Sequence, residues 1–452
     1  MKKFKHILCT LSLALGLPAL HAQSLSLSQA LNLMETKNGK LQGYQSQAQA
    51  AQFGIDAAKG LYFPQLTMSG KIIHMNDDLS LNLNKYKYAL TSFIPILKPE
   101  KLGDWRFPFQ EADVMSLQAD VKWPIFTGGK IKAANRAAKI KKELALAEVQ
   151  TVKSQLISEV STRYFQVQLA QEAVKVRKQA QEAAQKHFYD AEQLEKNGMI
   201  APAEKMMAET AVADANRELH GAEKDVTLAQ TALWGALNTE PSAQELSTPL
   251  FEVVLLNDLA YYQKQAQQNY PEIAKARLKK QLAEQDVALK KSKFMPDIAL
   301  VGSKYLLTEN LPITEPDWYV GVGMQIDIFT GMKNRKEYAQ SKAVSQSVDL
   351  LTQQAERDIQ TLVKKQFTEI QKQQEQLQSL KKSLSFAEEL LRVREKAFHE
   401  GFAKSTDVVD ANLYLASIKM QKLQALFAMD KALAEMLETC GLSHTLNQYI
   451  IQ

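Results

Sequence analysis

The tetrapeptide Ile-Phe-Thr-Gly occurs twice, at Ile125–Gly128 and Ile328–Gly331, and the two copies stand 203 positions apart. A second pair of marks keeps that offset: Gly198, following Glu195-Lys196-Asn197, matches Gly401, following Phe398-His399-Glu400. From Gly128 to Gly198 is 70 positions, and so is Gly331 to Gly401. Independent drift collects insertions unless each residue of length counts. Length counts when two copies must span one distance side by side. The chain reads as a duplication built around two matched rods.

The rods are helical. Neither Gly nor Pro occurs between Lys130 and Asn197, or from Met332 to Glu400, and Ala, Gln, Lys, Glu and Leu dominate both stretches. These are the residues with the strongest helix propensity. Apolar side chains recur at threes and fours, as Val149, Val152, Leu156, Val160, Tyr164 and Val167 in the first rod and Leu377, Leu380, Leu384, Ala387 and Leu391 in the second. That narrow, persistent stripe is a coiled-coil seam. At 1.5 Å per residue each rod is roughly 100 Å long, too long for a compact globular core.

Residues Met1–Ala22 read as an export leader, with Lys2, Lys3 and Lys5 ahead of an apolar run from Ile7 to Leu17. Across the whole chain 55 basic groups face 50 acidic ones. Removal of the leader brings the two close to balance, which leaves no electrostatic footprint for nucleic acid. Cys440 is the one thiol after the leader, so no internal disulfide is expected and stability must come from packing and assembly. No apolar run is long enough for a membrane-spanning helix. Two compartments remain, the periplasm and an outer membrane crossed by strands.

Upstream of each Ile-Phe-Thr-Gly lies a pair of alternating segments. Leu66, Met68, Gly70 and Ile72 alternate with Gln65, Thr67, Ser69 and Lys71, and Met115, Leu117, Ala119, Val121 and Trp123 alternate with Ser116, Gln118, Asp120 and Lys122. In the second half, Ile298, Leu300 and Gly302 lead one segment, and Trp318, Val320, Val322 and Met324 form one face of the next. About ten residues of alternation suit a tilted strand crossing an outer membrane. Half-buried hairpins of a soluble domain carry the same pattern. Four strands cannot close a barrel, and lipid does not tolerate open edges. If the strands span, several chains must share one barrel. Three chains give about twelve strands, whereas two give about eight, whose interior side chains fill. Pro64 and Pro296 match at an offset of 232, so the first hairpin carries extra material, expected within His74–Asp113 as a variable surface loop.

The segment Val121-Lys122-Trp123-Pro124-Ile125-Phe126-Thr127-Gly128-Gly129-Lys130, together with the Gly198 and Gly401 turns, resembles the outer membrane efflux protein family of TolC-like exit ducts. The resemblance covers nearly the whole chain after the leader. It implies a mainly α fold: a homotrimer whose shared twelve-stranded β-barrel continues as a periplasmic coiled-coil tunnel. The implied order is repeat 1 over residues 23–238, with strands at about 65–73 and 113–126, a long helix 129–197 and a helix 202–237. An equatorial linker follows at 239–257. Repeat 2 spans 258–440, with strands at about 297–307 and 317–329, a long helix 332–400 and a helix 405–440, before a tail at 441–452. Gln23–Gly60 and Asp258–Lys293 are expected to supply the opening helix of each repeat. Trp123 and Pro124, with Gly128, Gly129 and Gly331, mark the strand-to-helix junctions, and the second copy lacks the Trp-Pro pair.

The resemblance also assigns the tips. Asp407 and Asp410, three apart and on one helix face, match the family's acidic rings at the periplasmic entrance, and Glu204 is the repeat-1 equivalent of Asp407. An acid in a first helical turn is also favoured by the helix dipole alone. Phe398 and Ala403 stand where the family carries a gating tyrosine and arginine, so closure is expected to rest on Phe398 packing and on Lys404, with Lys205 nearby, pairing with an acid. The turns Gly198-Met199-Ile200-Ala201 and Gly401-Phe402-Ala403 are expected to meet a periplasmic adaptor, with a hydrophobic staple inside the turn as the rival reading. The implied partners are the adaptor, an inner-membrane transporter and outer membrane lipid. No metal or cofactor is expected, since the His residues lack ligand spacing and no nucleophile or phosphate motif stands out. A soluble periplasmic coiled-coil scaffold or adaptor is the competing reading, disfavoured by the duplicated strand pairs.

Overall fold

The computed structural model describes residues 24–94, 96–240, 245–310 and 315–450, so the leader expected at Met1–Ala22 lies outside them. The elements run α1 (Leu27–Lys37), α2 (Gly39–Gly60), β1 (Gln65–His74), β2 (Leu79–Asn82), α3 (Asn84–Phe93), β3 (Arg106–Gln110), β4 (Asp113–Phe126), α4 (Lys130–Lys196) and α5 (Pro202–Leu237). They continue α6 (Leu259–Asn269), α7 (Pro271–Ser292), β5 (Asp297–Glu309), β6 (Trp318–Gln325), α8 (Lys333–His399), α9 (Ser405–Thr439) and α10 (Leu446–Ile450). The rods α4 and α8 are each 67 residues long, and both of their ends obey the 203 offset. No described helix is long and apolar enough to cross a membrane.

Two compact units emerge. Among the described residues, one falls within Tyr44–Val149 and Pro271–Glu356, the other within Met1–Gly43, Gln150–Tyr270 and Arg357–Gln452.

The first unit holds a four-stranded antiparallel sheet in the order β1-β4-β5-β6, so β1 and β6 are its free edges. Its register keeps the sequence alternation in step across all four strands. Leu66 pairs with Val121, Val121 with Gly302, and Gly302 with Val320, giving an apolar row. One residue along, Thr67, Asp120, Ser303 and Tyr319 form a polar row. Most of the apolar face is bare in one chain, Ile72 at 83% and Val322 at 70% exposure. A bare apolar face of this extent marks a surface that something beyond the single chain covers.

Each repeat turns from strand to rod by the same device. Thr127 O accepts the Lys130 N–H at 2.9 Å and Thr127 Oγ1 that of Ile131 at 3.4 Å, while Thr330 O and Oγ1 accept from Lys333 and Asn334 at 3.2 and 3.4 Å. Between cap and helix the backbone goes left-handed twice, at Gly128 and Gly129 (φ 57° and 90°) and at Gly331 and Met332 (φ 60° and 66°). Trp123 anchors the first junction by donating its indole N–H to Tyr62 O at 3.0 Å. The second junction lacks that anchor, and β6 stops at Gln325, short of the expected 329, leaving Ile328 92% exposed.

In the second unit Leu25 and the inter-repeat residues Leu246 and Thr248 dock on the middle of α4. The Tyr164 hydroxyl donates to Leu25 O at 2.7 Å and accepts from the Thr248 N–H at 2.9 Å, and Leu25 bridges to Leu246. Asn238 and Gly441, again 203 apart, both adopt left-handed φ (54° and 69°) where α5 and α9 end. The expected single helices at Gln23–Gly60 and Asp258–Lys293 are each broken in two. Asn38 leaves helical geometry (ψ 113°) because its side chain caps the next helix, accepting the Leu41 N–H at 3.1 Å and donating to Ala236 O at 3.0 Å. Tyr270 (ψ 119°) precedes Pro271, whose ring pushes its predecessor out of the helical region. The breaks keep the 232 offset, a symmetry that seam periodicity alone did not reveal.

One buried acid stands out in this unit. Asp430 is fully buried on α9, its Oδ2 accepting the Phe251 N–H at 3.3 Å while Oδ1 has no partner among the described residues. Burial pushes its carboxyl well above the ordinary range. A carboxyl that holds its proton more tightly when folded contributes most below about pH 4, and stability falls as pH rises toward the folded value. Asp430→Asn is therefore expected to raise the melting temperature at pH 7, with the gain shrinking toward pH 4. Equal melting temperatures at pH 7 would count against a neutral Asp430.

The candidate periplasmic gate

The residues singled out at the tips all fall in the second unit, where α4 turns into α5 and α8 into α9. Both turns are built identically. Gly198 (φ 68°) and Gly401 (φ 77°) sit left-handed, the Gly N–H bonding Glu195 O at 2.9 Å and Phe398 O at 3.0 Å. The following N–H, of Met199 and Phe402, reaches back to Leu194 O and Ala397 O at 2.9 and 2.8 Å. This paired closure of a helix end needs a residue that tolerates φ > 0, hence the two glycines.

The four helix ends share one apolar cluster of Ala191, Ala208, Phe398 and Val408, with Ile200, Ala403 and Leu391 packed against it. The turns therefore divide between the two readings of their apolar residues. Ile200 and Ala403 staple the turns from inside, whereas Met199 (62%) and Phe402 (85%) face outward. Ala201 is exposed as the residue before Pro202, which starts α5 in the position where a missing N–H costs nothing.

Polar contacts bind the ends together around one hydroxyl. Ser405, fully buried at the start of α9, donates its backbone N–H to Glu204 Oε2 on α5 at 2.7 Å. Its Oγ lies 2.6 Å from His187 Nε2 on α4. The His187 ring in turn packs edge-on against Phe398 of α8, centroids 4.6 Å apart. All four helices meet at this point. Burial is the main cause holding the His187 imidazole below its ordinary pKa. His399 acts the same way, while Asp190 and Glu204 pull upward. Asp190 Oδ2 itself contacts His399 Nε2 at 3.2 Å.

The expected charges are redistributed by this geometry. Asp407 accepts the Lys404 N–H at 2.9 Å and lies 4.0 Å from Arg394, so it caps α9 from within, while Asp410 is exposed one turn on. Glu204 caps the neighbouring helix α9 at Ser405. Lys205 pairs with Glu195 at 3.2 Å. The Lys404 side chain forms no ion pair among the described residues of one chain. His187 was missed because a histidine inside a seam gives no ligand spacing. Its repeat equivalent is Leu390, so a comparison of the halves flags it as a polar intrusion.

A model of the outer membrane efflux protein family matches residues 27–239 and 263–442, most of both repeats. The chain belongs to that family. Cobalt-zinc-cadmium resistance protein CzcC of Cupriavidus metallidurans is 29% identical over 217 residues, which span 47% of this chain and 50% of that relative. Among solved structures, CusC superposes with a TM-score of 0.76 at 15% identity, covering 92% of each chain. The outer membrane protein VceC of Vibrio cholerae gives 0.73 at 16% identity, over 92% of this chain and 96% of that one. The outer-membrane channel OprN gives 0.75 at 18% identity, over 92% and 89%. At such identities the likeness is one of fold.

Proposed function

We propose that three copies of this chain pool their sheets into one twelve-stranded outer membrane barrel, and that their rods extend it into the periplasm as a passive exit duct. The reading rests on the four-stranded sheet. Both of its edges are unpaired in one chain, and its faces are sorted into an apolar and a polar side. Edges facing lipid must pair, and pairing β1 of one copy with β6 of the next closes a ring without new strands. The partners are a periplasmic adaptor, met by the outward Met199 and Phe402, and an inner-membrane transporter that supplies cargo. CzcC makes divalent metal export the first cargo class to test, by zinc, cobalt and cadmium tolerance of a deletion strain. Heat-modifiable migration and fractionation with the outer membrane test the duct. Release of the mature chain into the soluble periplasm on osmotic shock would refute it.

Three chains bring three copies of Asp410 and three of Asp407 to the entrance, a strong attraction for cations. Asp407 is half-buried against its own helix end while Asp410 is exposed, so Asp410 is the acid better placed to meet a passing ion. Asp410→Asn is expected to lower the cation-to-anion permeability ratio in planar bilayers several-fold, more than Glu204→Gln does. Equal ratios for Asp410→Asn and the unaltered chain would remove Asp410 from the conduction path.

A further inference from the structure

The extra material of the first hairpin, expected as a variable loop, is a folded insert. The Met75 N–H bonds Ala112 O at 2.8 Å, and Asp78 Oδ1 accepts the Ala112 N–H at 2.7 Å, so the ribbon of β1 and β4 continues outward. Beyond it β2 and β3 pair antiparallel, Leu81 opposite Phe107 and Asn82 opposite Arg106. Helix α3 and a short 3₁₀ turn at Pro99–Leu102 close the end. The closure is polar and specific. Lys87 Nζ donates to Gly103 O and Asn84 Nδ2 to Asp104 Oδ1, both at 2.6 Å, and Asn84 Oδ1 accepts the Trp105 N–H at 3.0 Å. The corresponding connection between β5 and β6 runs only from 310 to 317.

This small structure is apolar where it should not be. Leu81 and Phe107, paired on one face of the ribbon, are 54% and 57% exposed, and Phe93 is 85% exposed. A two-stranded ribbon is marginal alone and gains stability by laying its apolar face on something. The position of the insert says on what. It prolongs β1, a free edge of the sheet, which in the duct must pair with the next copy. Whatever stands at the outer end of that seam stands against a neighbouring chain. We infer that the insert at 75–112 docks through Leu81, Phe107 and Phe93 on the adjacent copy of this chain, bridging the outer mouth of the barrel. The inference rests on the trimeric duct proposed above, and it fixes a second contact between copies, separate from the strand edges.

The variants Leu81→Cys and Asn82→Cys, each adding one accessible thiol on opposite faces of β2, test it in outer membranes treated with a short bis-maleimide. Cys440 is buried and stays as it is. Leu81→Cys is expected to yield covalent dimers at least about ten-fold above Asn82→Cys, since one accessible thiol per chain lets a bis-maleimide join two chains and no more. The assembled species is sized in parallel by gel filtration. Assembly at trimer size with only monomers after cross-linking of Leu81→Cys overturns the docking and leaves the duct standing. A Leu81→Cys thiol that reacts with a water-soluble maleimide only after detergent is added overturns it too, because lipid then covers the face. Absence of any trimer for either variant and for the unaltered chain refutes the duct, and the docking with it.

Discussion

Gly128→Ala is expected to cut the yield of assembled, heat-modifiable protein in the outer membrane by ten-fold or more, while Gly129→Ala leaves it near that of the unaltered chain. Both residues are left-handed, so each substitution meets the backbone penalty of an L-residue there, about 1–2 kcal/mol. They differ in their surroundings. A Cβ on Gly128 would stand 2.5 Å from Met295 Cβ and 2.9 Å from Ser292 O, whereas nothing lies within 4 Å of one on Gly129. The first clash is with a Cβ and a carbonyl, neither of which can swing aside. Overpacking adds roughly 1–3 kcal/mol, for a total of about 2–5 kcal/mol. The second repeat lacks the close approach, since a Cβ on Gly331 would meet nothing within 4 Å, and it shows that the second left-handed position needs no glycine. Met332, the equivalent of Gly129, holds φ 66° with a full side chain, while Gly331 keeps the glycine of Gly128. Met332→Gly is accordingly expected to change assembly little. Equal yields for Gly128→Ala and Gly129→Ala would mean that the close approach to Met295 does not govern the junction.

What could be read from the chain beforehand divides along a physical line. The rods were legible because about seventy residues without Gly or Pro, carrying a regular seam, leave no competing structure. The strands were legible because alternation at period two is a property of single segments, and the register then carried it across Leu66, Val121, Gly302 and Val320. Features that depend on a side chain reaching a distant backbone were not. Asn38 breaks a helix because it finds Ala236 O, 198 positions away, and Glu204 serves as a cap only because α9 begins beside it. The insert was located by its length but expected as a loop, and its fold stayed hidden for the same reason. Its strands are four and five residues long, and Lys87, Asn84 and Asp104 fold it through contacts that no periodicity announces. At the gate, the family resemblance led to the expectation that Phe398 packs. It did not predict that the packing partner is a histidine.

That histidine is expected to make the tip sensitive to acid. Phe398→Ala is expected to raise the resting conductance of the duct in planar bilayers several-fold, because Phe398 is 2% exposed at the centre of the cluster that joins all four helix ends. Truncation of a buried Phe costs about 3–5 kcal/mol, and here that loss falls on a contact between hairpins. Lys404→Ala is expected to do much less, since the Lys404 side chain joins no ion pair among the described residues. The pH dependence follows from His187. Burial depresses its pKa, so the neutral ring is the packed form. A histidine depressed by folding contributes stability above about pH 6.5, and the contribution is lost as pH falls toward the lower folded value. The groups that face it are Asp190 on its own helix, Glu204 on α5, Ser405 on α9, and His399 and Phe398 on α8. The two acids soften the penalty of protonation, and His399 sharpens it once charged. Resting conductance should therefore climb as the periplasmic side is taken from pH 7.5 to 5. His187→Gln keeps a hydrogen-bonding group near Ser405 and does not titrate, so its conductance should stay flat over that range. A pH response of the same size in His187→Gln would place the sensor elsewhere.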